Sequence, residues 1–236
     1  YTNVCQYSCR FCAFSKGGGE VAAGRAAYDI DAGELHRRVK EAAALGATEV
    51  CLQGGIHPDY TGQTYLDILR TVKEAASAIH VHAFSPLEID QGASTLNLPL
   101  EQYLSMLKDA GLDSLPGTAA EVLDERVRDI LCADKVSAER WLEIMECAHG
   151  LGLSSTATIM FGHVDSPSSW VNHWQRVIRL QERTQGFTEV VPLPFVSEGA
   201  PIYRRGESRP GPTWRETRLM HAVLRLTVGR VIPNVQ

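Results

Sequence analysis

Apolar positions recur along the chain in two periods. Leu35, Val39, Ala42 and Ala43 fall at the three- and four-residue spacing of one helix face, as do Leu66, Leu69 and Val72, and Trp170, Trp174, Val177 and Ile178. Between these stretches lie short apolar or β-branched runs at 48–52, 79–84, 112–115, 154–160 and 187–193, the pattern of strands buried on both faces. At four joints a glycine stands where a helix would stop: Leu45-Gly46, Ala110-Gly111, Leu151-Gly152 and Gln185-Gly186. Strands linked by helices run parallel, and right-handed crossovers leave an open doubly wound sheet or a barrel. Five strands lie inside the chain, and residues 1–4 read as the end of a sixth. No low-complexity stretch divides the pattern, so residues 1–236 read as one domain. The segment 197–212, rich in Gly, Pro, Arg and Glu, is the nearest thing to a linker; it leads into Thr213-Trp214-Arg215-Glu216, a capping-box start for a last helix.

Composition narrows the function classes. With 44% hydrophobic and 22% charged residues, the chain is an ordinary globular sequence, long enough to build its core without cysteine staples. The net charge is −5, and the longest basic cluster is Arg37, Arg38 and Lys40, which argues against nucleic-acid and anionic-membrane partners. No apolar run approaches the roughly 18 residues of a spanning helix. A soluble, cytoplasmic protein is expected. The first residue is Tyr and no leader precedes Cys5, so the chain reads as a fragment of a longer one, lacking residues at both ends.

In parallel α/β folds chemistry sits in the loops after the strands, and the unusual residues fall there. Cys5, Cys9 and Cys12 form a C-x3-C-x2-C triplet, which random placement would produce roughly 0.004 times per chain of this composition. A disulfide pair is disfavoured by the absence of a secretory signal and by the tight spacing. A zinc site would need a fourth ligand, for which His57 or His82 are the available candidates. Three thiolates on one short loop suit a 4Fe-4S cluster with one iron open to a ligand that is not protein.

The triplet, with an aromatic residue before its last cysteine (Cys9-Arg10-Phe11-Cys12), resembles the radical S-adenosylmethionine (SAM) superfamily. That resemblance implies a partial (βα)6 barrel, a cluster held by Cys5, Cys9 and Cys12, and SAM chelated to the fourth iron and cleaved to a 5'-deoxyadenosyl radical. Further motifs narrow it. Tyr1-Thr2-Asn3-Val4-Cys5, Gln53-Gly54-Gly55-Ile56-His57-Pro58-Asp59, Phe84-Ser85-Pro86-Leu87-Glu88, Pro116-Gly117-Thr118-Ala119-Ala120-Glu121 and Pro192-Leu193-Pro194-Phe195 resemble the tyrosine-using family of FO synthase subunits, which serve deazaflavin biosynthesis. Aminofutalosine synthase shares the cysteine triplet and the Gln-Gly-Gly-His-Pro-Asp pattern but tends to read Pro-Gly-Gly-Gly-Ala-Glu where this chain has 116–121, and it lacks the Pro-Leu-Pro-Phe form of 192–195.

The resemblance implies a transferase. L-Tyrosine is cleaved at Cα-Cβ, its 4-hydroxybenzyl group passes to 5-amino-6-(D-ribitylamino)uracil, and a second radical SAM domain or subunit closes the deazaflavin ring. An electron donor is implied as well. The alternatives are aminofutalosine synthase and a non-enzymatic zinc-binding domain. For the cofactor, Gly54 and Gly55 are expected near the methionine amino group, unless they only end a strand. Phe11 is expected near the adenine, unless it packs on Phe14. Ser85 belongs to the cofactor set. Glu121 is expected at the SAM ribose or carboxylate, with Arg126 or Arg128 as cationic partner for the SAM carboxylate, although Thr118 to Glu121 also reads as a capping box for a helix ending near Cys132. Tyrosine or uracil recognition falls to His57, His82, Glu88 and His163, with Glu189 a further polar candidate and His82 foremost. Cys51, Cys132 and Cys147 read as packing residues.

Overall fold

One or two helices stand between successive strands from α1 (Ala32–Ala44) to the end of the chain in the computed structural model, which describes residues 1–17 and 27–236. They gather into two compact units. The first comprises Tyr1–Tyr7, Phe14–Pro116 and Leu151–Leu153; the second comprises Ser8–Ala13, Gly117–Gly150 and Ser154–Gln236.

In the first unit α1 is followed by β1 (Glu49–Leu52), α2 (Gly62–Ala75), β2 (His80–Ala83), α3 (Pro86–Thr95), α4 (Leu100–Asp109) and β3 (Ser114–Leu115). The strands pair in parallel and in chain order, Val50 opposite Val81 and His82 opposite Ser114. Asp31 caps α1 by accepting from the Glu34 N–H at 2.8 Å. The stripe Leu66, Leu69 and Val72 is fully buried with Val81, Tyr103, Leu104 and Leu107, so the predicted helix face is the core face.

The second unit holds α5 (Glu125–Cys132), α6 (Ala138–Gly150), β4 (Ser154–Phe161), α7 (Pro167–Thr184), β5 (Phe187–Pro194), the single turn α8 (Pro201–Arg204), α9 (Trp214–Leu226) and β6 (Asn234–Val235). β4 and β5 pair in parallel with Ala157 opposite Val190, and β5 pairs with β6 through Val190 and Val235. Trp174 and Val177 of the α7 stripe are buried, and α9 starts at the predicted capping box, Thr213 reciprocated by Glu216.

All five interior strands form where the apolar runs stand. The sixth is at the other end of the chain. Residues 1–4 make only isolated bridges, Thr2 with Asp29 and Val4 with Lys16, because their backbone groups go to loops: the Gly55 N–H donates to the Thr2 carbonyl at 2.8 Å and the Lys16 N–H to that of Asn3 at 2.7 Å. β6 supplies the sixth strand instead. Three of the four predicted stop glycines are left-handed, Gly46, Gly111 and Gly152 with φ of 91°, 109° and 77°. At the fourth joint Gln185 takes the left-handed cap with φ 52°, and Gly186 is required for a different reason: a Cβ there would overlap the His149 ring. Among the described residues no helix is long and apolar enough to cross a membrane.

Candidate active site

The cysteine loop leaves the first unit after Tyr7 and re-enters it at Phe14, so Cys5 belongs to one unit and Cys9, Phe11 and Cys12 to the other. None of the six cysteines is in a disulfide, and the three of the triplet are half-buried.

In the first unit Cys5 is anchored against the loop after β1. The Cys5 N–H reaches the Lys16 carbonyl at 3.2 Å, the Gln6 N–H reaches the Ile56 carbonyl at 2.9 Å, and the Ile56 N–H donates to Cys5 Sγ at 3.3 Å. Gly55 makes this approach possible, since a Cβ would lie inside contact distance of the Val4 carbonyl oxygen and of Cys5 Cβ. At Gly54 the same space is taken by the Tyr1 ring. The two glycines thus let the chain close on itself before any ligand is considered.

Beneath that loop lies Glu88, 1% exposed. One carboxylate oxygen accepts from the Tyr1 hydroxyl; the other accepts from the Ser85 N–H at 2.7 Å and the Ser85 hydroxyl at 2.6 Å. Ser85 is the N-cap of α3 and Glu88 its reciprocal partner. Burial pushes the Glu88 carboxyl above its ordinary range, opposed by these hydrogen bonds. The Tyr1 ring centre lies 6.2 Å from those of Tyr60 and Phe84, and the buried Tyr65 hydroxyl has no hydrogen-bond partner among the described residues. His57 stacks on Tyr60 at 4.7 Å and accepts from the Asp59 N–H through Nδ1. His82 Nδ1 and His80 Nε2 both meet the Ser114 hydroxyl at 2.7 Å, and burial lowers the His82 pKa. The first unit therefore collects Ser85, Glu88, His57 and His82 around the ends of β1 and β2.

In the second unit the cysteine loop docks on the end of α5. The Arg10 N–H donates to the Leu131 carbonyl, the Cys12 N–H to that of Cys9, and the Ser8 N–H to the Asp134 carboxylate. Arg10 pairs with Glu207. Burial raises the Cys9 thiol well above its ordinary pKa, opposed by the charge of Lys135. Lys135 is the residue that sequence reasoning missed. Its side chain is 6% exposed, its Nζ lies 2.6 Å from Glu121 Oε1 and 5.7 Å from the centre of the Phe11 ring.

Glu121 reaches that position through a turn rather than a helix, and the capping-box expectation at 118–121 is corrected. α5 begins at Glu125 with Asp124 as N-cap, its side chain accepting from the Arg126 N–H. Ala119 and Glu121 are left-handed, with φ of 63° and 45°, and the segment is pinned to β4 by bonds from the Gly117 N–H to Thr156 Oγ1 and from the Met160 N–H to the Glu121 carbonyl, both 2.8 Å. The Arg128 guanidinium is spent on this backbone, donating to the carbonyls of Ala119, Ala120 and Val136, while the Arg126 side chain is 85% exposed. The cation beside Glu121 is Lys135.

His163 is 1% exposed, and both its ring nitrogens are engaged: Nε2 with the Met160 carbonyl at 2.9 Å and Nδ1 with the Val164 N–H at 2.7 Å. Glu189 accepts from Gln236 at 2.6 Å. Of the remaining cysteines Cys132 is buried and Cys147 half-buried, whereas Cys51 is exposed on β1, which corrects its reading as a packing residue. Among the described residues no group of three or more His, Cys, Asp or Glu side chains is arranged to hold a metal ion. A single ion needs its donors in one coordination sphere. A four-iron cluster instead takes one thiolate per iron, and a short loop that offers three thiols, none of them in a disulfide, has the donor chemistry for that group.

Parallel strands in chain order, helical crossovers and a three-cysteine loop ahead of the first described strand define the radical SAM class. Residues 1–176 match the Radical SAM superfamily, and the chain belongs to it. It is 48% identical over all 236 residues to FO synthase of Streptomyces coelicolor, of which it covers 27%, and 48% identical to the 5-amino-6-(D-ribitylamino)uracil--L-tyrosine 4-hydroxyphenyl transferase of Methanopyrus kandleri, of which it covers 63%. The chain thus spans about a quarter of the one relative and under two thirds of the other. Among solved structures, methylornithine synthase superposes with a TM-score of 0.68 at 18% identity, covering 97% of this chain and 60% of that one. SuiB of Streptococcus suis, crystallised with S-adenosylmethionine, gives 0.65 at 14% identity, covering 100% of this chain and 48% of that one. The fold is the α/β partial barrel of that class.

Proposed function

We propose that this chain is a radical SAM transferase that cleaves L-tyrosine and passes its 4-hydroxybenzyl group to 5-amino-6-(D-ribitylamino)uracil in deazaflavin formation. The observation that carries the reading is the 48% identity to the Methanopyrus kandleri transferase, which runs over the whole chain rather than the cysteine loop alone. In this reading Cys5, Cys9 and Cys12 hold a 4Fe-4S cluster, and Phe11, Gly54, Gly55 and Glu121 line the loops that receive SAM. Cluster and SAM together supply radical hydrogen abstraction when bound. The chain's own residues orient the substrates and keep water and stray hydrogen donors away from them. His57 and His82, half-buried at the ends of β1 and β2, serve as the substrate contacts. Ser85, Glu88 and His163 have their polar atoms committed to the capping box and to backbone, and act by holding those loops in place. A second radical SAM domain or subunit that closes the ring, and an electron donor, are the partners of the same reading.

The test is anaerobic reconstitution with iron and sulfide, followed by incubation with SAM, tyrosine and the uracil. Stoichiometric cluster, SAM cleavage and the coupled product are expected, and Cys9→Ala should abolish all three. Turnover that persists in Cys9→Ala, or protein that takes up zinc without iron or sulfide, would sink the proposal. Product formed from a chorismate-derived enolpyruvyl ether in place of tyrosine would move the assignment to aminofutalosine synthase.

A further inference from the structure

We propose that Lys135 and Glu121 form an electrostatic pair that sets how readily the cysteine-loop cluster accepts an electron, Lys135 favouring the reduced state and Glu121 opposing it. The inference rests on the reading that Cys5, Cys9 and Cys12 carry a 4Fe-4S cluster. Lys135 Nζ and Glu121 Oε1 are 2.6 Å apart with side chains only 6% and 12% exposed, so both charges have left water. Burying an ion pair is costly and an apolar pair of the same size would serve packing as well or better, which makes a purely structural purpose a poor account of it. Glu121 is moreover held in a left-handed conformation, φ 45°, that a non-glycine residue adopts at some cost.

The placement explains that cost. Lys135 lies over the ring of Phe11, the residue immediately before Cys12 in the ligand triplet, with its Nζ 5.7 Å from the ring centre. Arg128 is occupied by backbone carbonyls and Arg126 is at the surface, so neither of these arginines is the buried cation here. Charges in a dry environment act over longer distances than in water, and cluster potentials follow net charge, hydrogen bonds and exposure. Reduction adds one electron to the cluster from a one-electron reductant, and no bond to Lys135 or Glu121 forms or breaks. The ammonium lowers the energy of the added charge and the carboxylate raises it. Both are positioning residues, acting through the cluster.

The experiment uses the reconstituted 236-residue chain, titrated with dithionite and redox mediators and followed by the electron paramagnetic resonance signal of the reduced cluster. Lys135→Met is expected to lower the ratio of reduced to oxidised cluster about tenfold at the wild-type midpoint, equivalent to about 59 mV for a one-electron couple. Glu121→Gln should shift it in the opposite direction, Lys135→Arg should stay near wild type, and the Lys135→Met/Glu121→Gln double variant should return towards it. A structural role alone would not give shifts of opposite sign. Shifts in the same direction, or none in either single variant, overturn the proposal. If Lys135→Met holds no cluster, Glu121→Gln decides alone: an upward shift supports the pair and no shift overturns it. Wild-type protein that takes up no iron and sulfide would instead overturn the cluster reading itself.

Discussion

His173 shows how far burial can move a single residue. It is fully buried on α7, its Nδ1 accepts from the Leu123 N–H at 3.0 Å, and its Nε2 has no partner among the described residues, so burial pushes its pKa down to about 3. The unfolded chain binds a proton near the ordinary histidine value of about 6.5. Between that value and about 3 the unfolded state takes up a proton that the folded state refuses, so stability falls as pH falls, by about 1.4 kcal/mol per pH unit once well below 6.5. Urea denaturation at pH 7 and pH 5 should show His173→Gln losing about 2 kcal/mol less over this interval than wild type; equal losses would refute the account. At the same scale, the triplet Cys5, Cys9 and Cys12 was legible in the sequence because a ligand set is a matter of spacing along one loop. Lys135 was not, because no motif spacing marks it and only the fold brings that ammonium to Glu121 and Phe11.

At the scale of elements the decisive local device is the capping box that opens α3. Ser85 and Glu88 read in sequence as polar residues available to a ligand, and the structure gives them to the helix start and to Tyr1. Removing the carboxylate leaves two buried hydroxyls and a backbone N–H without their acceptor, each worth about 1–3 kcal/mol. Glu88→Ala is therefore expected to destabilise the protein by about 3 kcal/mol in urea denaturation, with Glu88→Gln recovering part of it because the amide oxygen still accepts. The contrast with 118–121 is instructive. The same Thr-x-x-Glu spacing there makes no cap, since Asp124 starts α5 and the segment before it is pinned to β4. Whether a capping-box spelling becomes a cap depends on where the neighbouring strand holds the backbone.

Across the whole molecule stability is unevenly distributed. β4 and β5, eight residues each, carry fully buried Ala157, Ile159, Phe161 and Val190, whereas α9 presents Trp214, Leu219 and Leu226 at 75%, 57% and 71% exposure. Hydrogen exchange read by mass spectrometry should show β4 and β5 protected about a hundredfold longer than α9, since opening free energy follows buried contact; equal protection would contradict this. The alternation of helix and strand was legible at this scale because each element writes its own period into the sequence. The position of the sixth strand was not: residues 1–4 and 234–235 are both short stretches of mixed polarity, and a strand two residues long is defined by its neighbour rather than by its own pattern.

The sequence by itself determined the element types, the five interior strands and the cysteine triplet, all of which are properties of contiguous residues whose period or spacing is independent of the rest of the chain. Tertiary structure decided the partners. It joined Glu121 to Lys135 across 14 positions and Glu88 to Tyr1 across 87, and it turned Arg128 onto the backbone. The physical reason is that a buried polar group must find its partner wherever the fold places one, and no local pattern records that distance along the chain.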